Sequence, residues 1–267
     1  MSAQASVLAY EVPSPELRLA QVLTASQLAG WQGERAVLFI ADLEALARCP
    51  EGAGAIKEQV DSVELLYRNL CGERLEVVQE SELPEVQRAC KVLSGQVTVV
   101  SLLRELSQES KEAPLTLARL SSSLALAAAL LVLRPDALIT PRGQREEALK
   151  AAQLLVKVEP SLELELEDSG LSGRRALACE QLALPRTRDK LEASLQALPR
   201  DPLKISGAAG RPELCAASRL LDCLTGDKAD QLRRGCREGA GREGCLAALA
   251  EGLAQGLRGK RVESEVV

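Results

Sequence analysis

Histidine is absent from all 267 residues. That absence excludes a Ser-His-Asp or Cys-His catalytic engine, a histidine metal site and an imidazole pH switch. Aromatic side chains are nearly missing too: Tyr10, Trp31, Phe39 and Tyr67 are the whole set. Neither a base-stacking platform nor an aromatic cage fits so few rings, and the core must be built from Leu, Val and Ala. No Cys-x-x-Cys pair occurs among the eight cysteines, Cys49, Cys71, Cys90, Cys179, Cys215, Cys223, Cys236 and Cys245. The N-terminal stretch lacks a basic segment followed by a long apolar run. The longest apolar run, residues 124–133, is shorter than a bilayer crossing and reads as a buried helix. Together these lacks predict a cytoplasmic, reduced protein with no membrane association. The net charge of −5 disfavours a general nucleic-acid coat and gives no reason to expect DNA as a partner.

What is present suffices for a globular chain. Hydrophobic residues make up 46% and charged residues 27%, enough to bury a core and too apolar for disorder. The first hundred residues alternate short apolar runs with helical spacing. Residues 6–10, 36–40 and 75–79 read as strands. Residues 17–30, 56–69, 84–93 and 97–106 read as helices, and 115–133 is apolar nearly all round, as in a helix sandwiched in a core. Residues 136–140 read as a last strand and 144–156 as the helix after it. Residues 161–173 are acidic and loop-like, 199–212 form a Pro- and Gly-rich hinge, and 211–257 form a small helical module. Strand–helix alternation predicts an α/β fold: a doubly wound, Rossmann-like nucleotide-binding domain with a parallel sheet, followed by a C-terminal helical domain. The boundaries are 1–156 for the first domain, 157–184 for a connecting region and 185–267 for the helical domain. A parallel sheet of this kind takes its ligand at the carboxyl ends of its strands, where the connections reverse direction.

No single motif announces catalysis, since there is no Walker loop and no G-x-G-x-x-G. The order of several short segments is informative instead. Pro13-Ser14-Pro15-Glu16-Leu17-Arg18-Leu19-Ala20-Gln21 follows the first strand and opens a helix. Phe39-Ile40-Ala41-Asp42-Leu43-Glu44-Ala45-Leu46 closes the second strand. Glu80-Ser81-Glu82-Leu83-Pro84-Glu85 follows the third. Later come the helix from Leu120 to Leu133, the turn from Leu138 to Gln144, Gly170-Leu171-Ser172-Gly173-Arg174, and then Gly235-Cys236-Arg237 and Gly244-Cys245-Leu246. In this order they resemble the segments P-T-G-x-L-H-x-G-H, F-I-A-D-L-H-A-L, Q-S-x-V-P-E, L-S-Y-P-V-L-Q-A-A-D-I-L-L-Y, V-P-V-G-E-D-Q, G-L-D-G-R, G-C-R and G-C-L of class I aminoacyl-tRNA synthetases of the bacterial tryptophan type. The resemblance spans roughly residues 5 to 260.

The resemblance implies roles that this chain no longer fills with the usual side chains. The two His of H-x-G-H contact the ATP phosphates, and the Gly between them admits the adenine; those places hold Arg18, Ala20 and Gln21. Arg18 is expected to be a solvated arginine at the helix mouth, with a phosphate contact as the alternative reading. The K-M-S-K-S lysines hold the departing pyrophosphate; Arg175 keeps one positive charge and Ala178 replaces the other. The Asp that receives the indole N–H is Ala129, and of the G-E-D-Q turn only Gln144 remains. Asp42 is expected to cap the helix after its strand or to order the strand end. A crevice is expected beside Arg18, Asp42 and Gln144.

Some members of the family carry an iron–sulfur cluster on four cysteines. Cys215, Cys236 and Cys245 fall near three ligand positions, but Ala248 stands at the fourth. The cysteines therefore read as buried or half-exposed thiols, with no metal. No cofactor is expected, and ATP only if activity survives. The resemblance also implies a homodimer, with residues 97–106 and 124–133 supplying part of the interface. The density of Arg233, Arg234, Arg237 and Arg242 gives a weak expectation of tRNA as a partner, diluted by Asp230, Glu238 and Glu243. Three functions fit: an inactive or strongly impaired tryptophan–tRNA ligase paralogue with a binding or regulatory role, a divergent but functioning ligase, and a decayed or simplified sequence with no selected role.

Overall fold

The computed structural model describes residues 6–14, 17–33, 35–48, 53–95, 117–141, 144–161, 163–168, 182, 184, 188–198, 209–212, 215–224, 228–239 and 242–258. Five parallel strands form one sheet: β1 (Ser6–Glu11), β2 (Arg35–Ile40), β3 (Leu75–Gln79), β4 (Ala137–Thr140) and β5 (Glu165–Asp168), in the order β3-β2-β1-β4-β5. Val7 lies opposite Ala36 on one side and Ala137 on the other. The described helices are α1 (Leu19–Ala29), α2 (Asp42–Arg48), α3 (Ala53–Cys71), α4 (Pro84–Ser94), α5 (Leu117–Leu133), α6 (Arg145–Val158), α7 (Arg188–Gln196), α8 (Ala216–Leu224), α9 (Lys228–Arg237) and α10 (Glu243–Arg258). A short 3-10 turn, Glu80–Glu82, follows β3. The α/β class with a Rossmann-like parallel sheet is the observed one.

The strand sequences explain their places. β1 is buried at every residue and β2 at all but its first, as expected of central strands covered on both faces. β3 lies at one edge and exposes Glu76, which pairs with Arg35 on β2 (2.8 Å). β5 lies at the other edge and corrects the reading of residues 161–173 as a loop. Leu164 and Leu166 alternate with Glu163, Glu165 and Glu167, so the acidic character belongs to one face of a strand. Residues 136–140 are therefore not the last strand. The expected helix 97–106 and the greater part of the hinge 199–212 lie outside the described residues.

Two compact units share the chain, each assembled from separated stretches. The first comprises Met1–Pro15, Trp31–Asp61 and Glu73–Asp168, and the second Glu16–Gly30, Ser62–Gly72 and Ser169–Val267. The predicted segments divide the chain along its sequence, whereas these units divide it by contact. In the first, α5 packs against α2, α4 and α6. Its Ala125, Ala127, Ala128 and Ala129 carry little side-chain bulk, and Leu124, Leu126 and Leu130 fill the core with Leu8, Phe39, Val86 and Leu138. Leu124 to Leu130 are thus consumed by the unit's own core, and only Leu131, Val132 and Leu133 stay half-buried. That stretch supplies core rather than subunit surface.

In the second unit, α10 packs against α7 and α8, and α8 also against α1 and α9. Leu191, Leu195, Leu220, Leu221, Leu249 and Leu253 are buried there. Gly72, with φ at 70°, ends α3 in the left-handed region that glycine occupies without a Cβ penalty.

Candidate functional site

The sheet reverses its direction of growth between β1 and β4, because β2 and β3 are added on one side and β5 on the other. Ligands of doubly wound folds bind outside the carboxyl ends of strands at such a point. Glu11 and Thr140 end the two strands there, and both are buried. Gln144 stands four residues beyond Thr140, just before α6. Its backbone N–H donates to the Pro141 carbonyl oxygen at 2.9 Å. Its buried Oε1 has no hydrogen-bond partner among the described residues. A buried acceptor without a donor is costly unless a ligand or water supplies one. Ala129 lies at mid-length in α5 and is wholly buried.

Asp42 opens α2 directly after β2. Its carboxylate accepts the Ser81 N–H at 3.0 Å, so it holds the turn after β3. Beside it the structure collects side chains that the sequence reading passed over. Glu44 and Glu80 are both buried. The Glu44 N–H donates to Glu80 Oε2 at 3.3 Å, and the Tyr10 hydroxyl donates to Glu44 Oε2. Burial pushes the Glu80 carboxyl up to about 7; the Glu44 and Leu43 backbone N–H groups oppose that rise, and the Glu44 and Asp42 carboxylates add to it. Burial also raises Tyr10 well above its ordinary range, with Glu44 as the next cause. A signal for this cluster was present in the sequence. Glu44 stands where F-I-A-D-L-H-A-L has His, and Glu80 where Q-S-x-V-P-E has Gln.

Arg18, Ala20 and Gln21 belong to the second unit, whereas Asp42, Ala129 and Gln144 belong to the first. Arg18 is exposed and is the N-cap of α1. Its backbone N–H donates to Gln21 Oε1 at 2.8 Å, and the Gln21 N–H donates to the Arg18 carbonyl oxygen at 3.1 Å. Gln21 is buried and serves the helix start. Ala20 is buried, and its carbonyl oxygen accepts the Thr24 hydroxyl. Two backbone bonds flank Arg18: the Leu19 N–H donates to Leu182 O at 3.0 Å, and the Leu184 N–H to Leu17 O at 2.7 Å. The chain just beyond the K-M-S-K-S-like stretch is thereby fastened to the start of α1. Arg175 and Ala178 themselves lie outside the described residues.

In the helical part of the second unit, Cys245 is buried and Cys215 and Cys236 are half-buried. No group of three metal-ligating side chains occurs among the described residues. Two of the four arginines expected to face RNA are engaged within the unit. Arg233 donates to the Ser218 hydroxyl (3.2 Å) and carbonyl oxygen (2.9 Å). Arg242 donates to the Leu198 carbonyl oxygen at 2.7 Å and so caps the carboxyl end of α7. Arg234 and Arg237 are exposed. No described helix is long and apolar enough to cross a membrane.

Several solved structures share this architecture. The tryptophanyl-tRNA synthetase of Mycoplasma pneumoniae superposes with a TM-score of 0.68 at 14% identity, over 95% of this chain and 85% of that one. The tryptophanyl-tRNA synthetase of Campylobacter jejuni, complexed with ADP and tryptophan, gives 0.65 at 15% identity, over 92% and 84%. The tyrosyl-tRNA synthetase of Archaeoglobus fulgidus, complexed with L-tyrosine, gives 0.67 at 16% identity, over 95% and 88%. No protein-family model and no curated protein sequence matches the chain. At these identities the likeness establishes one thing: the chain has the fold of the tryptophanyl- and tyrosyl-tRNA synthetases.

Proposed function

We propose that the chain is a synthetase-like protein of the bacterial tryptophan type in which adenylate formation is lost or strongly impaired, and that the retained fold serves binding or regulation. The observation that carries this reading is the engagement of Gln21. Where the resembling motif has a phosphate-contacting His, the Gln21 amide oxygen is used to cap the start of α1. The replacements at Ala20, Arg175, Ala178 and Ala129 support it. A methyl stands where adenine packs, one of the two positive charges is gone with both lysines, and a methyl stands where the indole-reading carboxylate belongs.

Tryptophan-dependent exchange of pyrophosphate into ATP tests the reading, and none is expected. Turnover within about a hundredfold of an intact synthetase, roughly 3 kcal/mol of barrier, overturns it. Calorimetric titration with tryptophan, with and without ATP, is expected to show no binding tighter than about 1 mM, or roughly −4 kcal/mol.

A second reading, a functioning divergent ligase with ATP and tRNA as substrates, is favoured by Gln144 Oε1, buried beyond the carboxyl end of β4 and without a hydrogen-bond partner among the described residues. Arg234 and Arg237 are then the RNA-facing cations, and the protein is a cytoplasmic homodimer under either reading. A Gln144→Ala substitution separates the two. It weakens amino-acid activation in a ligase and leaves an inactive protein unchanged.

A further inference from the structure

Among the described strands, β5 ends one side of the sheet and pairs with β4 alone. In a parallel edge strand every second residue turns its backbone N–H and C=O toward the neighbouring strand, and the residues between turn theirs away. The Glu165 N–H donates to the Asp136 carbonyl oxygen at 2.9 Å, and Glu165 stands opposite Ala137. That bond fixes the phase. The backbones of Glu165 and Glu167 face β4, so those of Leu164, Leu166 and Asp168 face the open edge. No hydrogen bond takes up these outward groups among the described residues.

The side chains of the same stretch divide between the two faces of the sheet. Leu164 and Leu166 are half-buried and pack against the core cluster of the first unit. Glu163 and Glu165 lie on the opposite face and are exposed, with the half-buried Glu167 in line with them. The carboxylates of Glu163 and Glu165 have no ion-pair partner among the described residues. The other edge differs, since the exposed Glu76 of β3 is answered by Arg35 of β2.

We propose that the open edge of β5 takes up an extended segment of a partner protein in which cationic and apolar side chains alternate. Added as a further strand, that segment answers the outward N–H and C=O groups of Leu164, Leu166 and Asp168. Residues directly opposite each other share a face. Its lysines or arginines therefore come beside Glu163, Glu165 and Glu167, and its apolar side chains beside Leu164 and Leu166. A slip of one residue would turn the cations toward the core, so the alternation also sets the register. Charge decides the occupant. A second copy of β5 in that place would set glutamates beside glutamates, which opposes pairing. The edge lies within the first unit, and its use does not depend on whether ligase activity survives.

The test uses the full chain and three short peptides with blocked ends. One alternates valine with lysine, one alternates valine with glutamate, and the third is the valine–lysine peptide with every backbone amide N-methylated. Affinity is read by calorimetry, and hydrogen exchange is read at the Leu164 and Leu166 amides. In the free protein the Leu166 amide is expected to exchange faster than that of Glu165, which donates to β4. With the valine–lysine peptide at saturation, Leu164 and Leu166 are expected to gain about tenfold or more in protection, and added salt to weaken the binding. The other two peptides are expected to leave both amides unchanged. Charge reversal by Glu163→Lys with Glu165→Lys is expected to move the preference to the valine–glutamate peptide. Three results overturn the proposal: no valine–lysine binding tighter than about 1 mM, equal binding of both charged peptides, or binding that leaves Leu164 and Leu166 unprotected. The glutamates then serve only to keep the edge from pairing. If the double variant does not fold, the three peptides on the wild-type chain decide.

Discussion

Gln21 stands where the resemblance implies a phosphate contact, and in the structure its side chain serves the fold. A helix start leaves backbone N–H groups without intrahelical partners, and the Gln21 amide oxygen satisfies the one on Arg18. Replacing Gln21 with Ala removes that acceptor. The expected cost is about 1 kcal/mol, a fall of roughly 3 °C in melting temperature. Two glutamates at the two ends of the burial scale make the complementary point. Glu76 is exposed and held below its usual range by its hydrogen bond to Arg35, a pair worth little in water. Glu80 is buried and pushed the other way.

At the scale of elements, α5 decides what the core of the first unit can hold. Its alanines carry little bulk at the heart of the core, and Ala129 is fully buried within the unit's hydrophobic cluster. A carboxylate placed in such a cluster gives up its hydration. Ala129→Asp is therefore expected to destabilise the protein by about 3 kcal/mol or more, read as a lower denaturant midpoint with an unchanged slope. An unaltered midpoint would mean that position 129 opens onto a polar cavity, as the indole-reading Asp of the resembling enzymes requires. β5 carries a related lesson. Its Glu-Leu alternation has the period of a strand, but its acidity hid that period among loop-like residues.

For the whole molecule the open question is assembly. Burial of Leu124 to Leu130 leaves the apolar surface of the first unit elsewhere: Val92 on α4 is 61% exposed, and on α6 Val156 is 59% and Leu149 41% exposed. Both helices pack on α5. Light scattering at micromolar concentration is expected to give twice the chain mass of 28.5 kDa, and paired Val92→Glu and Val156→Glu substitutions to return it to one chain. A wild-type mass equal to a single chain removes the homodimer.

The local sequence determined the element types and much of the sheet. Apolar runs such as AVLFI and LEVVQ can be satisfied only in a strand or a buried helix, and their length and β-branched content choose the strand. The ordered set of short segments also carried the fold, because the positions retained are those that shape strand ends and core helices. The tertiary structure decided what depends on residues far apart in the chain. It brought Tyr10, Glu44 and Glu80 together from three separate elements. It turned Asp42 toward Ser81 instead of leaving it to its own helix, and it spent Gln21, Arg233 and Arg242 on internal carbonyl and amide groups. A backbone or side-chain group seeks its partner in space, and period or composition does not record which distant group will stand within 3 Å of it.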